Sequence, residues 1–157
     1  MYPHILTLLG RQGRPHAGLE VRCGRRSIDI VVATPSLGVL TSVEVKARQV
    51  AEGVRQAALN QLSVHYSYLA IPVSVADRMT NRTRGALLRL GLGLIAVGPS
   101  KAQAILRARR SPLRDPTKSK VLRGMLVSAL CRDGGETWDE DWGGAIPGTF
   151  LSLRLDT

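Results

Sequence analysis

Apolar and polar positions alternate along residues 19–46, which is the spacing of β-strands that are buried on one face. The runs are rich in β-branched residues and are separated by turn-forming segments at Gly24 and at residues 34–38. This pattern predicts three strands, over residues 19–23, 27–33 and 39–46. We expect the first two strands to pair as a hairpin.

After residue 50 the spacing changes to that of a helix. Val50, Val54 and Ala57 lie on one apolar stripe, which predicts a helix over residues 50–66. The pattern then predicts a strand at 68–73, a helix at 76–90, a strand at 94–97, an edge strand at 102–107 and a helix at 118–131. Residues 2–9 predict a short first helix, and the Gly-rich, acidic residues 133–148 predict no regular structure.

The order of these elements predicts an α/β fold, with a mixed β-sheet flanked by helices. Antiparallel strands come first, and strands that alternate with helices follow. A chain of 157 residues can bury one main core. We therefore expect a core over residues 1–115 and an extension over residues 116–157, made of a helix and an acidic, tryptophan-containing tail.

Composition places the chain among ordinary globular proteins, since 44% of the residues are hydrophobic and 22% are charged. Two cysteines, Cys23 and Cys131, do not make a disulfide framework, and this fits a reducing compartment. The sequence starts without the pattern of a signal peptide and contains no apolar run long enough to span a membrane. We expect a soluble, cytoplasmic protein with no membrane partner.

Charge points to a polyanionic partner. The formal net charge is +10, and it is uneven: residues 1–131 hold 20 basic and 6 acidic side chains, whereas residues 132–157 hold 2 and 6. Clustered arginines gain affinity for phosphates, so nucleic acid is the expected partner. The candidate contacts are Arg25, Arg26, Arg48, Arg82 and Arg84. The alternative is that arginine serves solubility alone, and the arginines of the second long helix could equally form a solvated face.

Two strands carry charged residues where apolar ones are expected. Asp29 lies between Ile28 and Ile30, and Glu44 and Lys46 flank Val45. Because side chains alternate along a strand, Glu44 and Lys46 point to the same face. An antiparallel return of the chain would bring Asp29 beside them, and two carboxylates suit Mg²⁺. The alternative is a structural ion pair between Lys46 and an acid.

An acid on one strand followed by Glu-X-Lys on the next resembles the PD-(D/E)XK nuclease superfamily. The matching residues are Ser27-Ile28-Asp29-Ile30 and Glu44-Val45-Lys46. The resemblance implies a restriction-endonuclease-like fold and assigns metal binding to Asp29 and Glu44, together with Val45. It also implies that Lys46 orients or activates the attacking water, with Mg²⁺ as cofactor and Mn²⁺ as a substitute.

The resemblance extends over roughly residues 19–115, and it adds further residues to the site. Glu20 is the candidate for an assisting glutamate on the preceding strand. In an uncharacterised bacterial branch of the superfamily a helix glutamine follows the Glu-X-Lys strand, and Gln56 matches it. By likeness, Gln56 helps to position the lysine or the phosphate, and Gln61 is its rival.

These observations lead to a metal-dependent nuclease that acts on DNA in repair, recombination or defence, and that could form a homodimer. The alternatives are a nuclease-fold module that binds nucleic acid without cutting it, and a structural subunit that assembles with acidic proteins. A zinc site built from His4, His16 and His65 is disfavoured by their spacing. The acidic residues between Trp138 and Trp142 could mimic phosphate and restrain the enzyme, or could form an inert acidic tail.

Overall fold

The computed structural model describes residues 1–132, 136–138 and 150–153. The helices are α1 (Tyr2–Arg11), α2 (Val50–Asn60), α3 (Val73–Asp77), α4 (Asn81–Leu90) and α5 (Pro116–Arg132). The strands are β1 (His16–Cys23), β2 (Arg26–Ala33), β3 (Leu40–Val45), β4 (Tyr66–Pro72), β5 (Gly93–Val97), β6 (Ala102–Leu106), β7 (Glu136–Trp138) and β8 (Phe150–Leu153).

All of these strands belong to one mixed sheet with the order β6-β5-β4-β3-β2-β1-β8-β7. Strand β2 pairs antiparallel with both β1 and β3, because short turns join it to them. Strands β3, β4 and β5 are parallel, with helices in the crossovers, and β6 returns antiparallel at the edge. The α/β fold with a mixed sheet flanked by helices is confirmed, and so is the first hairpin.

Helices cover both faces of this sheet. Helix α1 packs on one face through Ile5, Leu6 and Leu9, which are fully buried against β1 to β5. Helices α2 and α4 cover the other face over β4 and β5, and α5 covers it over β2 and β3. Alternate residues of each strand therefore enter different cores, which explains why the strands of the parallel part are apolar almost throughout.

Helix α2 ends earlier than the sequence predicts. The apolar stripe continues to Leu62, but α2 stops at Asn60 and the chain turns. His65 then pairs with the start of β3, where its backbone N–H donates to the Leu40 carbonyl (2.9 Å) and its Nδ1 accepts from the Leu40 N–H (3.0 Å). The prediction of a helix over residues 50–66 is wrong in its last six positions because these tertiary hydrogen bonds replace helical ones.

The single helix predicted over residues 76–90 is two helices. Helix α3 ends at Asp77, and Thr80 caps α4 by accepting a hydrogen bond from the Thr83 N–H at 3.3 Å. A threonine N-cap starts a new helix because it satisfies a backbone donor that has no helical partner.

The C-terminal extension contributes to the sheet. Strand β8 pairs with β1, and β7 pairs with β8, so the prediction of no regular structure over residues 133–148 is wrong at β7. The acidic segment from residue 139 to Trp142 lies outside the described residues. The division of the chain at residue 115 stays a prediction. No helix in the described ranges is both long and apolar enough to cross a bilayer.

Candidate active site

Asp29 and Glu44 lie opposite each other where β2 and β3 stop pairing. The ladder between these strands ends at Ile30 and Val43, and the acids are the next residue on each strand. Asp29 Oδ2 accepts a hydrogen bond from the Val45 N–H at 2.8 Å. The carboxylate therefore takes the place of a backbone acceptor in the ladder, and Val45 enters the site through its N–H group, as a support for Asp29.

Glu44 is the more deeply buried of the two acids, with 3% of its surface exposed. One carboxylate oxygen lies 3.0 Å from Lys46 Nζ, and the other accepts a hydrogen bond from Asn60 Nδ2 at 3.4 Å. Burial and the charge of Asp29 raise the pKa of Glu44, although Lys46 and Asn60 act in the opposite direction. A buried carboxylate whose proton affinity is raised in this way gains from a bound cation.

Lys46 lies directly after β3, and its backbone N–H donates to the Ala70 carbonyl of β4 at 2.9 Å. Its side chain runs under α2 at Gly53. A Cβ atom at Gly53 would lie 2.8 Å from Lys46 Cγ and 2.6 Å from Leu69 Cδ1. The glycine lets the helix approach the lysine closely, and this contact directs the ammonium group toward Glu44.

Gln56 lies on the face of α2 that carries the site. It is three residues after Gly53, which contacts Lys46, and four before Asn60, which contacts Glu44. Its Oε1 is buried and has no hydrogen-bond partner in the described part of the chain. An unsatisfied buried carbonyl oxygen is costly, and it is an available ligand or acceptor beside the lysine.

Gln61 does not belong to this site. It lies after the end of α2, where its Nε2 donates to the Leu90 carbonyl at 2.7 Å and so ties this turn to the end of α4. The alternative role for Gln61 is wrong, because the turn at residues 61–63 takes it off the helical face.

Glu20 lies on β1, opposite Asp29 of β2, at a point where β1 is irregular. The pairs on either side of it are Leu19 with Ile30 and Val21 with Ile28, and Glu20 itself has a left-handed φ of 48°. Leu19 packs in the core under α1, whereas Val21 packs in the core under α5. The strand changes faces at Glu20, and this distortion brings a third carboxylate to the same end of the sheet.

Tyr2 and Asn60 are site residues that sequence reasoning missed. Burial, followed by the charges of Asp29, Glu20 and Glu44, raises the pKa of Tyr2 and keeps its phenol protonated. Helix α1 thus places a hydroxyl group within electrostatic range of all three acids. Asn60 was detectable as a polar residue four positions after Gln56 on an apolar stripe, whereas nothing around Tyr2 in the sequence points to the site.

The donor set fits a hard divalent cation that keeps several of its waters. Asp29 and Glu44 supply carboxylate oxygens, and Gln56 Oε1 is unpaired on the adjacent helix. Among the described residues, no group of three or more His, Cys, Asp or Glu side chains is arranged to hold a metal ion. Two protein carboxylates plus water and substrate oxygens are the arrangement that Mg²⁺ accepts.

The predicted phosphate-contacting arginines are exposed and surround this end of the sheet. Arg25 lies in the β1–β2 turn and Arg26 begins β2, three residues before Asp29, while Arg48 follows Lys46. Arg82 and Arg84 lie in the first turns of α4, which starts at the end where β4 finishes; Arg84 also donates to the Ala76 carbonyl at 3.3 Å. Topology therefore brings five separated arginines to one end of the molecule.

Comparison with known proteins supports the fold alone. The chain matches none of the protein-family models and none of the curated proteins with which it was compared. Among solved structures it is similar to the "SPO1766 protein of unknown function from Silicibacter pomeroyi", with a TM-score of 0.61 and 15% sequence identity. The similarity covers 85% of this chain and 89% of that one.

Proposed function

We propose that the chain is a metal-dependent nuclease of the PD-(D/E)XK type that hydrolyses phosphodiester bonds in DNA in the cytoplasm. The observation that carries this proposal is the position of Asp29 opposite Glu44, where the pairing of β2 with β3 ends, with Lys46 Nζ 3.0 Å from Glu44. The arginines around the same end supply the positive field that a phosphate backbone requires.

Each residue of the site has a distinct task in this proposal. Asp29 and Glu44 hold the cation, and Asn60 and Lys46 fix the orientation of the Glu44 carboxylate. When bound, Mg²⁺ neutralises charge on the phosphate and makes a water molecule a better nucleophile. The Lys46 ammonium donates to the attacking water or to the phosphate, and Gln56 Oε1 accepts from the water or from the ammonium.

A binding module without cleavage activity is the second candidate, and the Lys46–Glu44 ion pair is the observation that favours it. An ion pair of this kind can be purely structural. However, burial and the facing Asp29 raise the pKa of Glu44, and a protein that binds no cation there gains stability by replacing such acids with apolar residues. The pair of acids therefore favours the nuclease.

The test is cleavage of labelled single-stranded and duplex DNA and RNA with Mg²⁺ or Mn²⁺. We expect Asp29→Asn and Lys46→Ala to lose at least about 100-fold in rate, because each removes a charge from the reacting centre. Asp77→Asn is the matched control, since Asp77 is an exposed acid at the end of α3. Equal cleavage by the wild type and both site variants would show a contaminant and remove the proposal.

Metal binding has its own readout. Saturating Mg²⁺ at about 100 times its Kd should stabilise the wild type by about 2.7 kcal/mol, because the ion binds only the folded chain. Asp29→Asn should show little of this gain, and Asp77→Asn should show all of it. A metal-dependent rise in Tm that is the same in all three proteins would place the cation elsewhere.

A further inference from the structure

The sheet end opposite the candidate active site carries the densest run of basic residues in the chain. Residues 107–123 contain seven basic side chains and one acid, Asp115. Asp115 Oδ1 caps α5, where it accepts from the N–H groups of Thr117 (2.8 Å) and Lys118 (3.4 Å). The one acid of the segment is therefore engaged by backbone donors.

Hydrogen bonds hold this basic segment firmly against the turn between α2 and β4. Ser111 contributes two, from its N–H to the His65 carbonyl (2.8 Å) and from its hydroxyl to the Gln61 carbonyl (3.0 Å). The Asp115 N–H donates to the Leu62 carbonyl (2.9 Å), and the Ser119 hydroxyl donates to the Ser63 carbonyl (2.9 Å). The arginines of the segment are thus presented by an ordered backbone.

Three of these arginines converge on His65, which is 3% exposed. After burial, the charges of Arg114, Arg110 and Arg123 are the causes that lower the pKa of His65. Arg123 Nη2 donates to the Gly38 carbonyl at 3.4 Å, and its Nε is buried without a hydrogen-bond partner in the described residues. None of the three forms an ion pair with a described carboxylate. An anion is attracted to a place where the charges of three guanidinium groups act on one buried imidazole and no described carboxylate pairs with them.

We propose that Arg110, Arg114 and Arg123 form a second anchoring surface for the nucleic-acid backbone, at the end of the sheet remote from the acids. The proposal rests on the proposed function for its partner, because a nucleic-acid substrate supplies several phosphates at once. Contacts of this kind set the position of the backbone and carry no sequence information.

The distance between the remote arginines and the acids is short enough for one bound duplex to contact both. Strand β3 runs from Leu40, beside the arginines, to Val45, beside the active site. The five steps from Leu40 to Val45, at about 3.3 Å each, give a separation of about 17 Å, and this corresponds to about five base pairs at 3.4 Å per pair. A duplex that lies along the molecule therefore reaches both ends, and the remote arginines hold it while the acids act on one phosphate.

The test is fluorescence anisotropy of a labelled DNA duplex of about 20 base pairs, in EDTA so that binding is measured without cleavage. Arg110→Gln/Arg114→Gln should bind roughly ten-fold more weakly, and the slope of log K against log salt should fall by about 2, since two phosphate contacts are lost. Arg11→Gln/Lys101→Gln is the matched control, because it removes the same charge from exposed positions on the α1 side. Arg123→Gln, checked for an unchanged Tm, should weaken binding further.

Equal losses in the two double variants would overturn the proposal, because charge alone would then explain binding. Unchanged or stronger binding by the Arg110/Arg114 variant would also overturn it, and would indicate that acidic residues of the chain itself cover the surface. The failure of the proposed function looks different: Lys46→Ala would cleave like the wild type, or neither would cleave, while the difference between the double variants persists.

Discussion

Each acid of the candidate site is held in one orientation by hydrogen bonds or an ion pair. Asp29 is fixed by the Val45 N–H, and Glu44 is fixed between Lys46 and Asn60. The two carboxylates remain close in spite of their repulsion, because both are built into paired strands. Their repulsion costs stability at this point, and the cation that we propose would offset this cost.

His65 provides a pH test of the opposite end of the sheet. Its pKa is lowered in the folded protein, so below about pH 6.5 the unfolded chain takes up a proton that the folded chain rejects. Stability is therefore full above the unfolded pKa and falls as the pH decreases below it. We expect His65→Asn, which keeps an acceptor for the Leu40 N–H, to lose less stability between pH 7 and pH 5 than the wild type does.

Urea unfolding at both pH values measures this difference. The control is His4→Asn, because the His4 ring forms an exposed hydrogen bond with the Pro99 carbonyl. If the free energy of unfolding of His65→Asn followed the wild-type curve with pH, then His65 would not be the group that titrates.

Much of the site could be predicted at the residue scale, because charged residues within apolar strands are conspicuous. Asp29, Glu44 and Lys46 stand out in this way, and the structure brings them together. Tyr2 could not be predicted, since it reaches the acids only through the packing of α1 on the sheet. The choice between Gln56 and Gln61 depended on where α2 ends, and tertiary hydrogen bonds decide that.

At the scale of elements, the contact between α2 and the end of β3 determines where Lys46 points. Gly53 is the residue that permits this contact. In an exposed helix Gly→Ala stabilises by about 1 kcal/mol, but here the new Cβ would overlap the Leu69 and Lys46 side chains. We expect Gly53→Ala to destabilise the protein by about 1–3 kcal/mol and to reduce cleavage, because Lys46 is displaced.

Gly124 is the matched position. It lies in α5, is exposed, and a Cβ built there meets no atom within 4 Å. Gly124→Ala should therefore stabilise the protein by up to about 1 kcal/mol and leave cleavage unchanged. Thermal unfolding and cleavage rates of both variants check the pair; stabilisation by Gly53→Ala with full activity would contradict the close approach of α2 to Lys46.

The first hairpin and most of the element order up to β6 could be predicted from periodicity, since alternation and helical stripes differ clearly in this part of the chain. The pairing of β8 with β1 could not. The residues at which helices and strands end were harder to predict. The apolar stripe that reaches Leu62 favours a longer α2, whereas the hydrogen bonds between His65 and Leu40 require the helix to end earlier. Thr80, by contrast, is a visible capping residue, and it explains the break between α3 and α4.

At the scale of the whole molecule, the sheet depends on elements from both halves of the chain. Helix α5 covers β2 and β3 through Leu122 and Leu126, which are fully buried against Val31 and Leu40. The strands that carry Asp29 and Glu44 therefore have one face covered by a helix that lies outside the predicted core of residues 1–115. Residues beyond 115 contribute to the rigidity of the site as well as to its surface.

Truncation of a buried leucine in α5 tests this dependence. Leu122→Ala removes buried methyl groups and leaves a cavity over β2 and β3, so we expect a loss of about 2–5 kcal/mol in the free energy of unfolding. Val121→Ala is the matched control, because Val121 is the preceding residue on the same helix and is 53% exposed; it should cost less than about 0.5 kcal/mol. Urea unfolding followed by circular dichroism measures both. A single cooperative transition that shifts to lower urea in Leu122→Ala would mean that α5 and the sheet unfold as one unit. If only the helical signal were lost and the transition of the sheet did not shift, the sheet would be stable without α5.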